Sequence, residues 1–191
     1  MTAQPGPDGL LRCPWALGSP DYLTYHDEEW GRPVAGEAAL FERLSLEGFQ
    51  AGLSWITILR KREAFREAFC GFDPATVARF GETETAELMA NPGIVRNRAK
   101  IQATISNARA LLALPAGESL EILLGKHRPQ PGPAPRTTAD VPASTPESVS
   151  LSRGLRARGF RFVGPVTAYA MLQATGYVND HLEACSIRKS C

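Results

Sequence analysis

The chain has 191 residues, of which 43% are hydrophobic, and a formal net charge of +1. That length buries a sizeable core as one domain, or as two lobes sharing a core, without help from disulfides. No apolar run approaches the ~20 residues of a membrane span, no secretory leader is recognisable, and four cysteines are too few for a disulfide scaffold, while the charge balance announces no partner.

Residues 1–11 are rich in Gly and Pro and are expected to form a mobile tail. Residues 12–185 read as a single helical domain, and 186–191 as a C-terminal tail. From Glu37 the pattern turns helical, with Leu40, Phe41, Leu44 and Gly48 on one stripe. Gly52-Leu53-Ser54 breaks it. Ser54 is a candidate cap for a second helix running through Trp55, Ile58, Leu59 and Phe65 to about Phe69. Asp73 can cap a short helix with Pro74 at its first position. Another short helix is predicted from Thr85 to Ala90.

Asn91-Pro92-Gly93 then leads into a long helix whose apolar stripe is Ile94, Ile101, Ile105, Ala108 and Leu112. A shorter segment follows around Leu120 to Leu124. Residues 128–146 carry six of the 15 prolines, have no apolar period and read as a loop. Thr145-Pro146-Glu147 is a helix start, and that helix ends near Gly159. A last helix follows Gly164 toward Gly176. No convincing strand appears, so the predicted class is all-α.

Three constellations carry chemistry. Cys13 and His26 near the start, and His181 and Cys185 near the end, together make a full tetrahedral donor set for one metal ion. Buried thiols with ordinary polar histidines are the alternative, and a rival set takes Cys191 in place of Cys13. The i, i+4 spacing of His181 and Cys185 would put both on one side of a helical turn. Four protein ligands leave no open position for water, so such a zinc would be structural.

The second constellation is aromatic and acidic. Trp15, Tyr22, Tyr25 and Trp30 crowd a segment with little helical period, and Trp55 follows. Helical spacing puts Glu47 on the inward face with Leu40 and Leu44, where a carboxylate needs a partner. A salt bridge to an arginine is its plainest alternative. The third constellation is the glycine-bounded joint from Arg158 to Tyr169, whose backbone N–H groups suit a phosphate. The basic clusters at 60–62, 96–100 and 153–161 read as solvated helix faces or as one phosphate-binding surface.

Arg12-Cys13-Pro14-Trp15, Tyr25-His26-Asp27-Glu28-Glu29-Trp30-Gly31, the run from Leu46 to Ile56, Thr145-Pro146 and Asn179-Asp180-His181 closely resemble the 3-methyladenine DNA glycosylase I family. These are constitutive bacterial enzymes of the helix–hairpin–helix superfamily. The likeness spans about 12–185. It implies a monofunctional glycosylase that flips alkylated adenine from duplex DNA and hydrolyses its N-glycosidic bond. It implies one structural Zn2+ on Cys13, His26, His181 and Cys185. It implies a base pocket of Glu47, Tyr25 and Trp55 with Tyr22, Trp15 and Trp30 beside it. Gln50 and Leu53 would probe the DNA stack, and the hairpin with Gly159, Phe160 and Gly164 would anchor phosphates.

The implied setting is a monomer acting on double-stranded DNA in the bacterial cytoplasm, with no membrane. Bifunctional relatives carry a lysine where Val166 stands, so no lyase activity is expected. Asp180 is a candidate to orient His181 rather than to activate water. Phe49 and Ala170 depart from the expected polar residues, and Ala170 puts the fine specificity in question.

Overall fold

The computed structural model describes residues 1–191. It is helical throughout, apart from one two-stranded hairpin that pairs Gln4–Pro5 (β1) antiparallel with Leu11–Arg12 (β2). That hairpin corrects the expectation of no strand. It also gives residues 1–11 a defined path, closed by Met1, whose ammonium donates to Thr138 Oγ1 at 3.2 Å.

The first α-helix, α1, spans Pro20–Glu28 and was not expected from periodicity. Its start signal is nevertheless in the sequence: the Ser19 hydroxyl accepts the Tyr22 N–H, Pro20 fills the first turn and Asp21 faces the helix dipole. Its buried residues are Tyr25 and His26, neither of which belongs to an aliphatic stripe.

Helix α2, Glu37–Gln50, is buried continuously from Leu40 to Phe49. A helix apolar on most sides sits at the centre of a domain. Here α2 is packed by α3 (Trp55–Ala68), α4 (Pro74–Val77), α6 (Arg98–Leu112), α7 (Leu120–Lys126) and α9 (Pro165–Ala174). Phe49, one of the departures from the family pattern, is fully buried with its ring 4.6 Å from that of Phe65. It belongs to the core and not to the site.

The remaining helices follow the predicted order. Asp73 accepts the Thr76 N–H at the start of α4, and α5 is Glu82–Ala90. Helix α6 begins later than its apolar stripe suggested. Ile94 is buried ahead of it, Asn97 caps it, and Leu112 at its end is exposed. Thr145 caps α8, Pro146–Ala157. The prolines before it leave no regular element between α7 and α8, as expected.

Candidate base pocket and metal cluster

One cavity of about 270 Å³ opens where α1, α2, α3 and α9 meet. All six residues expected to form the base pocket line it: Trp15, Tyr22, Tyr25, Trp30, Glu47 and Trp55. Gln50, Ala170 and Gln173 complete the wall. The volume is near the lower end of small-molecule sites, which begin around 300 Å³. Gln173 was missed by sequence reasoning, because a glutamine on an apolar helix carries no signal of its own.

The aromatic walls are mutually braced. The Tyr25 and Trp55 ring centres are 5.4 Å apart and tilted, and Trp15 stands edge-on to Tyr22 at 5.7 Å and to Trp30 at 5.1 Å. The Tyr22 hydroxyl accepts the Ile56 N–H at 2.9 Å. That bond satisfies an orphan donor in the first turn of α3 and fixes the adjacent Trp55 against the pocket. Trp55 Nε1 is buried without a partner.

Glu47 is 5% exposed and makes no ion pair. Arg43, the nearest cation, instead donates to Glu29 at 2.5 Å, and Arg62 donates to the same carboxylate at 2.6 Å. Burial pushes the Glu29 carboxyl up, but those two guanidiniums hold it down at about 2. Nothing does the same for Glu47. Burial pushes its carboxyl up to about 8, with Arg43 opposing from a distance. The Tyr25 phenol is likewise driven up, first by burial and then by the Glu47 charge. The salt-bridge alternative for Glu47 is therefore not what the fold adopts.

Cys13, His26, His181 and Cys185 converge next door, all buried, with their donor atoms within 4.8 Å of one another. His181 Nδ1 is 3.0 Å from His26 Nε2, and Cys185 Sγ is 3.7 Å from the first and 3.6 Å from the second of those nitrogens. Cys13 Sγ is 4.0 Å from His181 Nδ1. The outer ring nitrogens are already committed. His26 Nδ1 is 2.7 Å from Asp27 Oδ1, and His181 Nε2 is 3.1 Å from the Trp30 carbonyl. With both outer N–H groups donating, two lone pairs face each other inside, beside two thiols. Such a donor set could bind a metal ion.

Arg12 grips Asp27 through its guanidinium at 2.8 Å, so the support extends two residues deep. The neighbouring Cys185 and burial raise the Cys13 thiol, while Cys13 and the two imidazoles lower that of Cys185. Cys191, the rival ligand, approaches the outer His181 Nε2 at 3.4 Å and stands outside the cluster.

Two expectations are corrected. His181 and Cys185 do not lie on a helix; the Cys185 N–H closes a tight turn on the Leu182 carbonyl. Asp180 does not orient His181. It accepts from the Tyr169 hydroxyl at 2.5 Å and from Gln173 Nε2 at 2.8 Å, on the pocket side.

Cluster and pocket share a wall. Trp15 lies edge-on to His26 at 5.1 Å and Trp30 to His181 at 4.6 Å. Gly31, with φ +81°, lets the chain pass the imidazole; a Cβ there would sit 3.1 Å from His181 Nε2. Fixing the cluster thus fixes two aromatic faces of the cavity.

Leu53 sits at the α2–α3 turn, 39% exposed, behind Gly52 at φ +81°. Gln50 Nε2 donates to the Leu53 carbonyl at 3.4 Å. Across the same face lies the joint between α8 and α9. Only part of this joint has N–H groups to offer. The Gly159 and Phe160 N–H groups bond to Arg156 and Leu155 carbonyls, and Phe160 is buried. The N–H groups of Phe162, Val163 and Gly164, and of Val166 and Thr167 in the first turn of α9, have no acceptor in the protein.

The basic clusters divide similarly. Arg60, Arg62, Arg98 and Arg158 are held in ion pairs, and Lys100 is buried on backbone carbonyls. Arg96, Arg153, Arg156 and Arg161 form no ion pair and are left to solvent or phosphate. No helix is long and apolar enough to cross a membrane.

The methyladenine glycosylase family model matches residues 15–189. The DNA-3-methyladenine glycosylase of Haemophilus influenzae is 43% identical over 183 residues, covering 94% of this chain and 98% of that one. DNA-3-methyladenine glycosylase 1 of Escherichia coli K12 is 46% identical over 180 residues, covering 92% and 96%. Among solved structures, a 3-methyladenine DNA glycosylase I crystal structure superposes with TM-score 0.87 at 46% identity, over 92% of this chain and 98% of that one. The Staphylococcus aureus enzyme, solved for the basis of its 3-methyladenine recognition, superposes with TM-score 0.86 at 36% identity, over 93% and 96%. The braced aromatic cavity with its unpaired acid therefore sits in a chain that belongs to the methyladenine glycosylase family.

Proposed function

We infer that this protein flips alkylated adenine out of duplex DNA and hydrolyses its N-glycosidic bond, releasing 3-methyladenine. The observation that carries this reading is the unpaired Glu47 carboxyl on the wall of an aromatic cavity. Alkylation at N3 makes the attached adenine cationic and a good leaving group, so discrimination against neutral adenine is the harder task. Each aromatic face attracts a cation by about 0.5–2 kcal/mol. Tyr25 and Trp55 supply two such faces, and Glu47 supplies a counter-charge and an acceptor for the exocyclic amine. Entry of the cation draws the Glu47 proton off, because an opposite charge favours the ionised form.

Gln50 and Leu53 enter the stack and offset part of the few kcal/mol that extrusion costs. The free N–H groups at 162–164 and at the start of α9 receive a backbone phosphate. Gly159 and Gly164 bound that hairpin, and Phe160 anchors it in the core. The enzyme works as a monomer.

The metal is zinc, held by Cys13, His26, His181 and Cys185. Around a tetrahedral zinc, ligand atoms lie about 3.3–3.8 Å apart, given Zn–N near 2.05 Å and Zn–S near 2.3 Å. Four of the six donor separations in the cluster, 3.0–4.0 Å, bracket that range, and all six lie within 4.8 Å. With all four positions taken by protein, the ion holds the chain ends and the Trp15 and Trp30 faces and takes no part in bond cleavage.

The test is incubation with methylated duplex DNA and chromatography of the released bases. Free 3-methyladenine is expected. Binding without release would make the protein a DNA-binding module that has lost catalysis.

A further inference from the structure

Of the three buried polar side chains on helix α6, Thr104 bonds within its own helix, and Lys100 and Asn107 reach other segments and are not used by the pocket. Lys100 is 8% exposed and faces no carboxylate. Its ammonium donates to the Phe49 carbonyl at 2.8 Å and to the Ala51 carbonyl at 2.6 Å. Those carbonyls flank Gln50 at the end of α2. Asn107 is 4% exposed and closes a two-way clamp on Arg161: its Nδ2 donates to the carbonyl at 3.0 Å, and its Oδ1 accepts the N–H at 2.7 Å. Lys100 and Asn107 are two helical turns apart, a rise of about 10 Å.

One clamp therefore holds the root of the Gln50–Leu53 turn and the other the root of the phosphate hairpin. The two roots also touch. A Cβ on Gly48 would lie 3.6 Å from Phe162 Cβ, and the residual space between them is about 10 Å³, room for one water at most. An apolar residue at 100 would spare the desolvation of an ammonium but leave the Phe49 and Ala51 carbonyls without this donor. Three rotatable donors on a long stem can hold the irregular end of a helix.

We propose that Lys100 and Asn107 are positioning residues that fix the stack-probing turn and the phosphate-binding hairpin at one spacing on α6, so that both engage the same damaged nucleotide. The proposal rests on the roles given above to Leu53 and the hairpin. A loosened Lys100 clamp misplaces Leu53 and, of the nine residues in the pocket wall, shifts only Gln50.

The test compares single-turnover release from methylated duplex DNA with binding of free 3-methyladenine, read by fluorescence of the pocket tryptophans. Lys100→Met is expected to slow release roughly 10- to 100-fold, the cost of misplacing a group by about 1 Å. Its affinity for the free base should stay within about twofold, and Lys100→Arg should restore most of the rate. In a Leu53→Ala background the same Lys100→Met change should add less than about threefold. Equal losses in both backgrounds, or a parallel loss of free-base affinity, overturn the assignment. A fully active Leu53→Ala enzyme overturns the role of the turn, and the proposal with it, while leaving base release intact as a function. Should Lys100→Met fail to fold, Asn107→Leu decides: it should weaken binding to abasic duplex about tenfold with free-base affinity kept, and unchanged duplex affinity refutes the clamp.

Discussion

Glu47 is placed on the inward face of α2 by helical spacing, yet its sequence neighbours do not say whether an arginine reaches it. Arg43, one turn earlier, is the obvious candidate, and it is drawn away to Glu29, which Arg62 also holds. The result is a buried carboxyl raised to about 8 from its ordinary 4.5. Because kcat/KM reports the free enzyme, it should rise with pH up to about 8 for wild type, and this limb should vanish in Glu47→Gln. The variant should release 3-methyladenine roughly 10- to 100-fold more slowly, the worth of a charge-assisted contact, with abasic-duplex binding nearly kept. Stability should move the other way. A carboxyl raised in the folded state binds its proton more tightly there than in the unfolded chain. The folded state therefore loses ground as pH rises from about 4.5 to about 8. Replacing it with glutamine should raise Tm little at pH 5 and by the order of 5 °C at pH 8, measurable by calorimetry.

At the scale of elements, the helices with aliphatic stripes were legible and the helix that carries the pocket was not. Helix α1 buries Tyr25 and His26 and exposes most of its remaining length, so it has no 3.6-residue apolar repeat to find. Ser19-Pro20-Asp21 is its only local signal. The i, i+4 spacing of His181 and Cys185 misled in the opposite sense, since two metal ligands need only converge and any turn that brings them together serves. At the hairpin, glycine positions pointed to the joint between α8 and α9. Which N–H groups are free depends on how α8 ends, and the Gly159 and Phe160 donors are consumed there. Val166, 60% exposed at the start of α9, occupies the place where a Schiff-base lysine would act. Incubation with abasic duplex and borohydride should therefore trap no covalent adduct, and the abasic strand should stay uncleaved.

For the whole molecule, the Cys/His cluster joins the two ends of the chain across a sequence separation of 155 between its histidines. Metal bound only by the folded state adds its binding free energy to folding. Purified protein should hold about one zinc per chain. Cys185→Ser should lose most of it and drop Tm on the order of 10 °C. The pocket should loosen in step, because Trp15 and Trp30 rest on the ligand histidines. By itself the sequence determined a mostly helical class, the order of the central helices, the four residues of the Cys/His cluster and the ring of aromatics with its one acid. The helices and the aromatics are carried by residue type and local spacing, and the Cys/His set by likeness to the family. Tertiary structure alone decided that Glu47 is unpaired, that Asp27 and the Trp30 carbonyl occupy the outer histidine nitrogens, that Asp180 accepts from Gln173, and that α6 grips both the α2–α3 turn and the α8–α9 joint. Each of those depends on which of several competing partners lies within about 3 Å, the reach of a hydrogen bond, and periodicity along one chain holds no record of that competition.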